Sequence, residues 1–274
     1  MGKFNVGLQL FSVREQMEKD PGGTLKAVAK MGYSCVEPAG LCGLTAAEFR
    51  KLTDDAGLTI PSTHTPLPKQ IDDNMQRIIE DQVTLGAKYM AIPWMPEARI
   101  YGGEQYEDER KIILAYADAL RNKGIQLIYH NHDFEFKPAD KGLKIDCMLA
   151  DIPALWPEFD VCWVRYSGND PLAYLQKYTG KVPVLHLKDF ESDGFNKGPV
   201  YELIGDEESK QNTKEQNHFR FRPIGQGVQD IPSIIKAAEK AGTHTLIVEQ
   251  DEWYDNDPMD LAAQSRAYLA TLGL

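Results

Sequence analysis

Short apolar runs recur along the chain, and most are followed by a longer amphipathic stretch that ends at a glycine. The short runs are FNVGLQL (4–10), YSCVEP (33–38), LTIPSTH (58–64), YMAIPW (89–94), IQLIYHNH (125–132), EFDVCWV (158–164), VPVLHLK (182–188) and TLIVEQ (245–250). Their length and their Val, Ile, Leu and aromatic content predict buried β-strands. Between them the spacing predicts helices over 22–31, 45–56, 70–85, 105–123, 171–179 and 231–241, and a last one opening at Asp257-Pro258. Gly32, Gly57, Gly86, Gly124, Gly180 and Gly242 stand where such helices stop, and Asp170-Pro171 is a cap followed by a first-turn proline.

Eight strands alternating with helices imply a parallel sheet. In 274 residues, eight such units favour a closed (β/α)8 TIM barrel, α/β in class, occupying 1–274 as a single domain. No GxGxxG follows the first strand and no GxxxxGK[ST] is present, so neither a dinucleotide site nor a P-loop is expected. One connection departs from the rhythm: the polar stretch 190–224, between the seventh strand and its helix, is read as a long loop on the active-site face.

Composition narrows the class. Apolar residues make up 42% and charged residues 26%, with a mean hydropathy of −0.41. No apolar run approaches the roughly 18 residues of a membrane helix. Lys plus Arg number 30 against 41 Asp plus Glu, a formal charge of −11. Nucleic acid and anionic membrane partners, which need a positive surface, are therefore not expected. The opening MGKFNVGLQL lacks a signal-peptide h-region, which points to a cytoplasmic protein, or a periplasmic one if a leader has been removed. Cys35, Cys42, Cys147 and Cys162 form no CxxC pair and are read as buried free thiols.

In a barrel, side chains at the C-terminal strand ends converge on one pocket. Here those ends carry Glu37, His64, His130, His132, Asp133, Glu135, Asp160, His186, Lys188 and Glu249. Four of the six histidines are among them. Because i and i+2 share a face of a strand, His130 points with His132, and His186 with Lys188. Asp160, His186 and Glu249 come from three successive strands, and carboxylate plus imidazole is the ligand mix of Zn, Mn, Co or Fe. A buried ion-pair network without metal is the competing reading.

At these residues the chain resembles the xylose isomerase-like barrel proteins, the sugar phosphate isomerases/epimerases. The resemblance covers nearly the whole chain and rests chiefly on YHNHDFEF and the Asp–His–Glu series, with GLQLFSVRE, SGNDP, VPVLHLKD and GQG in support. It implies one divalent metal ion (Mn, Zn, Co, Fe or Mg) held by four side chains from strands five to eight. Asp160, His186 and Glu249 match three of those positions. The fourth, a strand-five Glu in the epimerases, is absent; Glu135 folding back is favoured, with His130 as the alternative. Where those epimerases carry a His three residues after the strand-six Asp, this chain has Trp163.

The resemblance implies an isomerase or epimerase acting on a sugar or keto-sugar. The expected chemistry is abstraction of the proton α to a carbonyl through a metal-stabilised enediolate. Glu249 is the expected base, with His130 or His132 opposite it and Lys188 on a substrate oxygen. Glu37 and His64 are expected on substrate hydroxyls, and Trp94, Trp163 and Phe11 on an apolar sugar face, with a core role open for Trp163; Arg222, with Arg220, is the best available contact for an anionic group, while a surface or loop-anchoring role is the favoured reading of both. Loss of a leaving group from a keto-glycoside or inositol derivative, by a lyase or hydrolase, is the alternative. A sugar-binding barrel without turnover is a further one. Endonuclease IV shares the barrel, but six histidines and the negative charge argue against that reading. Barrels of this type associate, so a homo-oligomer is among the expectations.

Overall fold

The computed structural model describes all residues except 1–3, 69, 72–73, 196–199 and 201–217. Eight parallel strands form its centre: β1 (Asn5–Gln9), β2 (Cys35–Glu37), β3 (Ser62–His64), β4 (Tyr89–Ile92), β5 (Gln126–His130), β6 (Trp156–Glu158), β7 (Val184–Leu187) and β8 (Thr245–Val248). They hydrogen-bond in two runs of four, β2-β1-β8-β7 and β3-β4-β5-β6. Bridges at Cys35–Thr59 and Ala39–His64 join β2 to β3, and a bridge at Asp160–His186 joins β6 to β7. The ring is thereby closed as a (β/α)8 barrel.

Alternation sorts each strand's side chains. Leu8, Val36, Met90, Leu127, Tyr129, Leu185, Leu187, Leu246 and Val248 point outward into the main core shared with the helices. Cys35, Ala91, Ile128, Val184 and Ile247 form an apolar layer inside the ring. Gly7 of β1 lies in that layer, and a Cβ there would stand 2.6 Å from Ile247 Cδ1 and 2.7 Å from Cys35 Sγ. The layer closes only because this position has no side chain.

Helices fall close to the expected places, at Pro21–Met31, Ala46–Ala56, Asn74–Leu85, Tyr106–Arg121, Pro171–Lys177, Ile231–Ala241 and Pro258–Thr271. Thr45 and Glu48 cap the second of these reciprocally. A helix at Lys144–Asp151, after a small hairpin pairing Pro138–Ala139 with Gly142–Leu143, was not foreseen. The sixth strand is the main correction. The run 158–164 does not continue as a strand, because Asp160 accepts the amide of Cys162 and turns the chain into the helix Val161–Tyr166. Apolar text of that length does not distinguish a buried strand from a buried helix. Cys162 is therefore helical, and Cys42 is exposed rather than buried.

The long connection 190–224 lies partly outside the described residues, at 196–199 and 201–217. Its ends pair as an antiparallel ribbon, Asp189–Glu191 with Arg220–Arg222. Among the described residues, no helix is long and apolar enough to cross a membrane.

Candidate metal centre

Above the apolar layer the barrel interior turns polar, one tier at a time. Inward positions on β2 and β6 supply Glu37 and Glu158, both fully buried. Next, β3, β5 and β7 supply His64, His130 and His186, whose ring centroids lie 4.6–5.0 Å apart. At the mouth, just past the ends of their strands, come His132, Asp160, Lys188, Glu249 and Asp251. All are buried.

Two overlapping groups of ligand-type atoms result. Facing atoms of His130, Asp160, His186 and Glu249 all lie within 4.8 Å of one another, as do those of Glu37, His64, Glu158 and His186. In the first, His130 Nε2 is 3.4 Å from Asp160 Oδ2 and 3.7 Å from Glu249 Oε2, and His186 Nδ1 is 3.0 Å from Glu249 Oε2. His130 Nε2 is buried without a hydrogen-bond partner. A buried nitrogen aimed at two carboxylates, with its Nδ1 held by the Pro93 carbonyl at 3.1 Å, is the state of an imidazole ready to ligate. These four residues fit a divalent cation.

Charge in the site is finely opposed. Burial alone would push the Glu249 carboxyl up, but Lys188, His186 and His130 hold it well below the usual range. Asp160 is likewise held low against burial, by Lys188 and His130. Burial works against a charged His186, yet Glu158, Glu37 and Glu249 surround it and hold its pKa well above that of free imidazole. Both its ring nitrogens then donate, to Glu37 at 2.6 Å and to Glu249 at 3.0 Å. His132 is pushed far below the usual imidazole range by burial and by His130 and Lys188. It stays neutral at pH 7.

Glu135, the favoured fourth ligand, is not brought to the cluster. Its Oε1 accepts from the Tyr129 hydroxyl at 2.6 Å and its Oε2 from the His132 amide at 2.8 Å. Both oxygens are thus engaged at the short helical turn Phe134–Phe136, and His130 stands with Asp160, His186 and Glu249 instead. Glu37 was expected on a substrate hydroxyl. It is fully buried beneath His186, with Gln9 Nε2 donating to it at 2.9 Å. His64 is 8% exposed and faces Glu158 at 3.0 Å.

Lys188 sits inside the site, 2.9 Å from Asp160, 2.9 Å from Glu249 and 3.0 Å from Asp251. Trp163 is buried against His132 and the Lys188 ammonium, at the edge of a cluster with Tyr166, Phe190, Phe219 and Phe221. Trp94 is exposed in the loop after β4. Phe11 carries the Arg14 guanidinium on its ring, with Trp253 on the other contact of that cation. Arg222 pairs with Glu191 on the ribbon, Arg220 lies over Tyr254, and neither is placed among the clustered residues.

Glu158 and Asp251 were missed. Each stands two residues from a named candidate, Asp160 and Glu249, so the parity rule that joined His130 to His132 would have found both.

Fold and site together define a barrel with an inward, strand-end set of imidazoles and carboxylates able to hold a divalent cation. The family described as xylose isomerase-like TIM barrel matches residues 25–272, and the chain belongs to it. An inosose dehydratase from Clostridium beijerinckii is 28% identical over 175 residues, covering 60% of this chain and 54% of that protein. One from Lacticaseibacillus casei is 26% identical over 164 residues, covering 57% and 51%. The chain thus spans about half the length of these curated relatives. Among solved structures, a sugar phosphate isomerase/epimerase from Parabacteroides distasonis superposes with a TM-score of 0.72 at 27% identity, over 98% of both chains. An L-ribulose 3-epimerase superposes with a TM-score of 0.67 at 14% identity, over 98% of this chain and 94% of that one, a likeness of fold alone.

Proposed function

We propose that this chain is a metal-dependent enzyme that removes the proton α to a carbonyl in a keto-sugar or cyclic keto-polyol and then expels an oxygen from the neighbouring carbon, as a dehydratase or lyase. The observation that carries the reading is the asymmetry of the mouth. Glu249 and Asp160, both held ionised, stand beside an ammonium, Lys188, and the end of β5 facing them offers the imidazoles of His130 and His132 rather than a further carboxylate.

His130, Asp160, His186 and Glu249 would hold the cation, and bound there it would act as a Lewis acid toward the substrate carbonyl. Glu249 is the base, kept ionised by Lys188 and His186. Lys188 offers an N–H to the enolate oxygen or to the departing oxygen, while Asp160 and Asp251 keep it protonated and oriented. Glu37 below fixes the ring of His186. Trp163 packs against His132 and helps to exclude water from that side. The names borne by the curated relatives support elimination over epimerisation.

A second reading, epimerisation, is supported by His132. It is neutral and lies just past the end of β5, facing Glu249, where it could exchange a proton on the opposite face of the substrate. One experiment separates the two. The Mn²⁺-loaded protein is incubated with ketohexoses and cyclic polyol ketones in D₂O and followed by NMR and ultraviolet absorbance. An unsaturated or dicarbonyl product lacking one oxygen supports the dehydratase. A deuterated epimer replaces it with the second reading. No α-exchange on any compound rejects both.

A further inference from the structure

The second group of ligand-type atoms lies one tier below the mouth and is not used by the chemistry above, except through His186. Its members close β2, β3, β6 and β7: Glu37, His64, Glu158 and His186. His64 Nε2 stands 3.3 Å from Glu37 Oε2 and 3.0 Å from Glu158 Oε2. His186 Nε2 stands 2.6 Å from Glu37 Oε2 and 3.7 Å from Glu158 Oε2. A tetrahedral zinc ion with bonds of about 2.0–2.1 Å separates its ligands by about 3.3 Å. The four separations straddle that value.

The remaining observations point the same way. Glu37 Oε1 and Glu158 Oε1 are buried without a hydrogen-bond partner, a costly state for a carboxylate oxygen. Two buried acidic side chains face each other across two imidazoles, with no Lys or Arg in the group, whereas the mouth has Lys188. A cavity of about 180 Å³ beside β3, lined by Pro38, Thr63, Thr65 and Gln82 among others, has His64 in its wall. His186 turns Nδ1 to the upper group and Nε2 to the lower, so the two groups define neighbouring positions.

We propose that the barrel holds a second divalent cation of the zinc type on Glu37, His64, Glu158 and the Nε2 of His186, beneath the one at the mouth. Two imidazoles and two carboxylates are borderline ligands that favour Zn²⁺ or Co²⁺ over Mg²⁺ or Ca²⁺. With both positions filled, His186 bridges them as an imidazolate, having released both of its ring N–H protons to solvent. The lower ion then fixes the ligand it shares with the upper one. This inference does not depend on whether the mouth carries out elimination or epimerisation.

The test is a count. The full chain is stripped with chelator, checked for its fold by circular dichroism, reloaded with Zn²⁺ or Co²⁺ alone, freed of excess metal and assayed by elemental mass spectrometry. The wild type is expected to hold two ions per chain, and Glu158→Gln and Asp160→Asn one each. The Co²⁺ forms of the two variants are expected to differ in their visible bands, since each keeps a different ion. If Glu158→Gln does not fold, His64→Gln takes its place. One ion in the wild type, lost in Asp160→Asn, overturns the lower position and leaves the upper site and its proposed reaction standing. Two ions retained in both Glu158→Gln and His64→Gln also overturn it. No ion at all removes both sites.

Discussion

The ammonium of Lys188 lies 2.9 Å from Glu249, and it is the only Lys or Arg side chain that the described ion pairs place against the carboxylates of the barrel mouth. It faces Asp160, Glu249 and Asp251 together. Without metal, it and the imidazoles balance three buried acids. Removing one partner of a buried pair costs roughly 3–5 kcal/mol, because the remaining charge is left unpaired. Lys188→Met is therefore expected to lower the denaturation midpoint of the metal-free protein strongly at pH 7. The deficit shrinks as pH falls and the freed carboxylates regain protons. It also shrinks when Mn²⁺ replaces the lost charge. Urea melts with chelator and with Mn²⁺ check this, and an unchanged metal-free midpoint would show that Lys188 does not carry the compensation.

His130 and Glu135 part company in the structure, and metal retention distinguishes them. His130→Ala removes a nitrogen aimed at Asp160 and Glu249. Affinity at the mouth is expected to fall by at least the roughly 10–100-fold that loss of an outer-shell partner costs. Glu135→Gln keeps its shape beside Tyr129 and the His132 amide and is expected to bind metal as the wild type does. Calorimetric titration with Mn²⁺ reads both. The reverse ranking would restore Glu135 as the ligand.

Glu135 also makes stability depend on pH. Burial pushes its carboxyl up to about 8, against the hydrogen bonds from Tyr129 and the backbone, which lower it. In the unfolded chain it titrates near the ordinary value of about 4.3. Between those values the folded state holds a proton that the unfolded state has lost. Stability from this group is full below the unfolded pKa and declines as pH rises toward the folded one, by up to about 1.4 kcal/mol per pH unit. Guanidine melts at pH 5.5 and 8.5 are expected to show a smaller loss in Glu135→Gln than in the wild type. Equal slopes would mean that Glu135 is ionised in the fold throughout.

The barrel was legible because its rule is periodic: short apolar strands, amphipathic helices and terminal glycines repeat, and each repeat adds the same unit. Strand-end chemistry was legible for the same reason, since the parity that pairs His186 with Lys188 needs no tertiary knowledge. What the sequence hides is depth. Glu37 and His64 end strands like the other candidates, but both are turned onto His186, Glu37 on its Nε2 and the His64 ring stacked on its ring. Which side chain fills the strand-five position was likewise hidden. Tyr129 points outward and claims Glu135, an interaction set by packing and not by spacing along the chain. The turn at Asp160 failed for a local reason, because a capping carboxylate and a ligand carboxylate look alike in sequence.

Asp189, beside Lys188, explains the GQG turn and anchors the ends of the long loop. Its Oδ2 accepts the amides of Gly225 at 2.9 Å and Gly227 at 3.0 Å, and its Oδ1 those of Phe190 at 2.9 Å and Gln229 at 3.1 Å. Gly225 has a φ of +85°, and a Cβ there would meet the Tyr268 ring at 2.6 Å. A Cβ on Gly227 would run into Asp189 itself and the Phe190 carbonyl. One carboxylate thus gathers four N–H groups from both sides of the connection, and the glycines let the backbone come close enough. Asp189→Asn keeps the shape but turns an NH₂ toward one pair of amides, and each buried amide left unpaired costs about 1–3 kcal/mol. Gly227→Ala breaks the same clamp from the other side. Each is expected to lower stability by about 2–5 kcal/mol, and the double variant by clearly less than the sum, because one interaction is lost in both. Urea unfolding of the four proteins measures this, and strict additivity would mean that the turn is held by something other than Asp189.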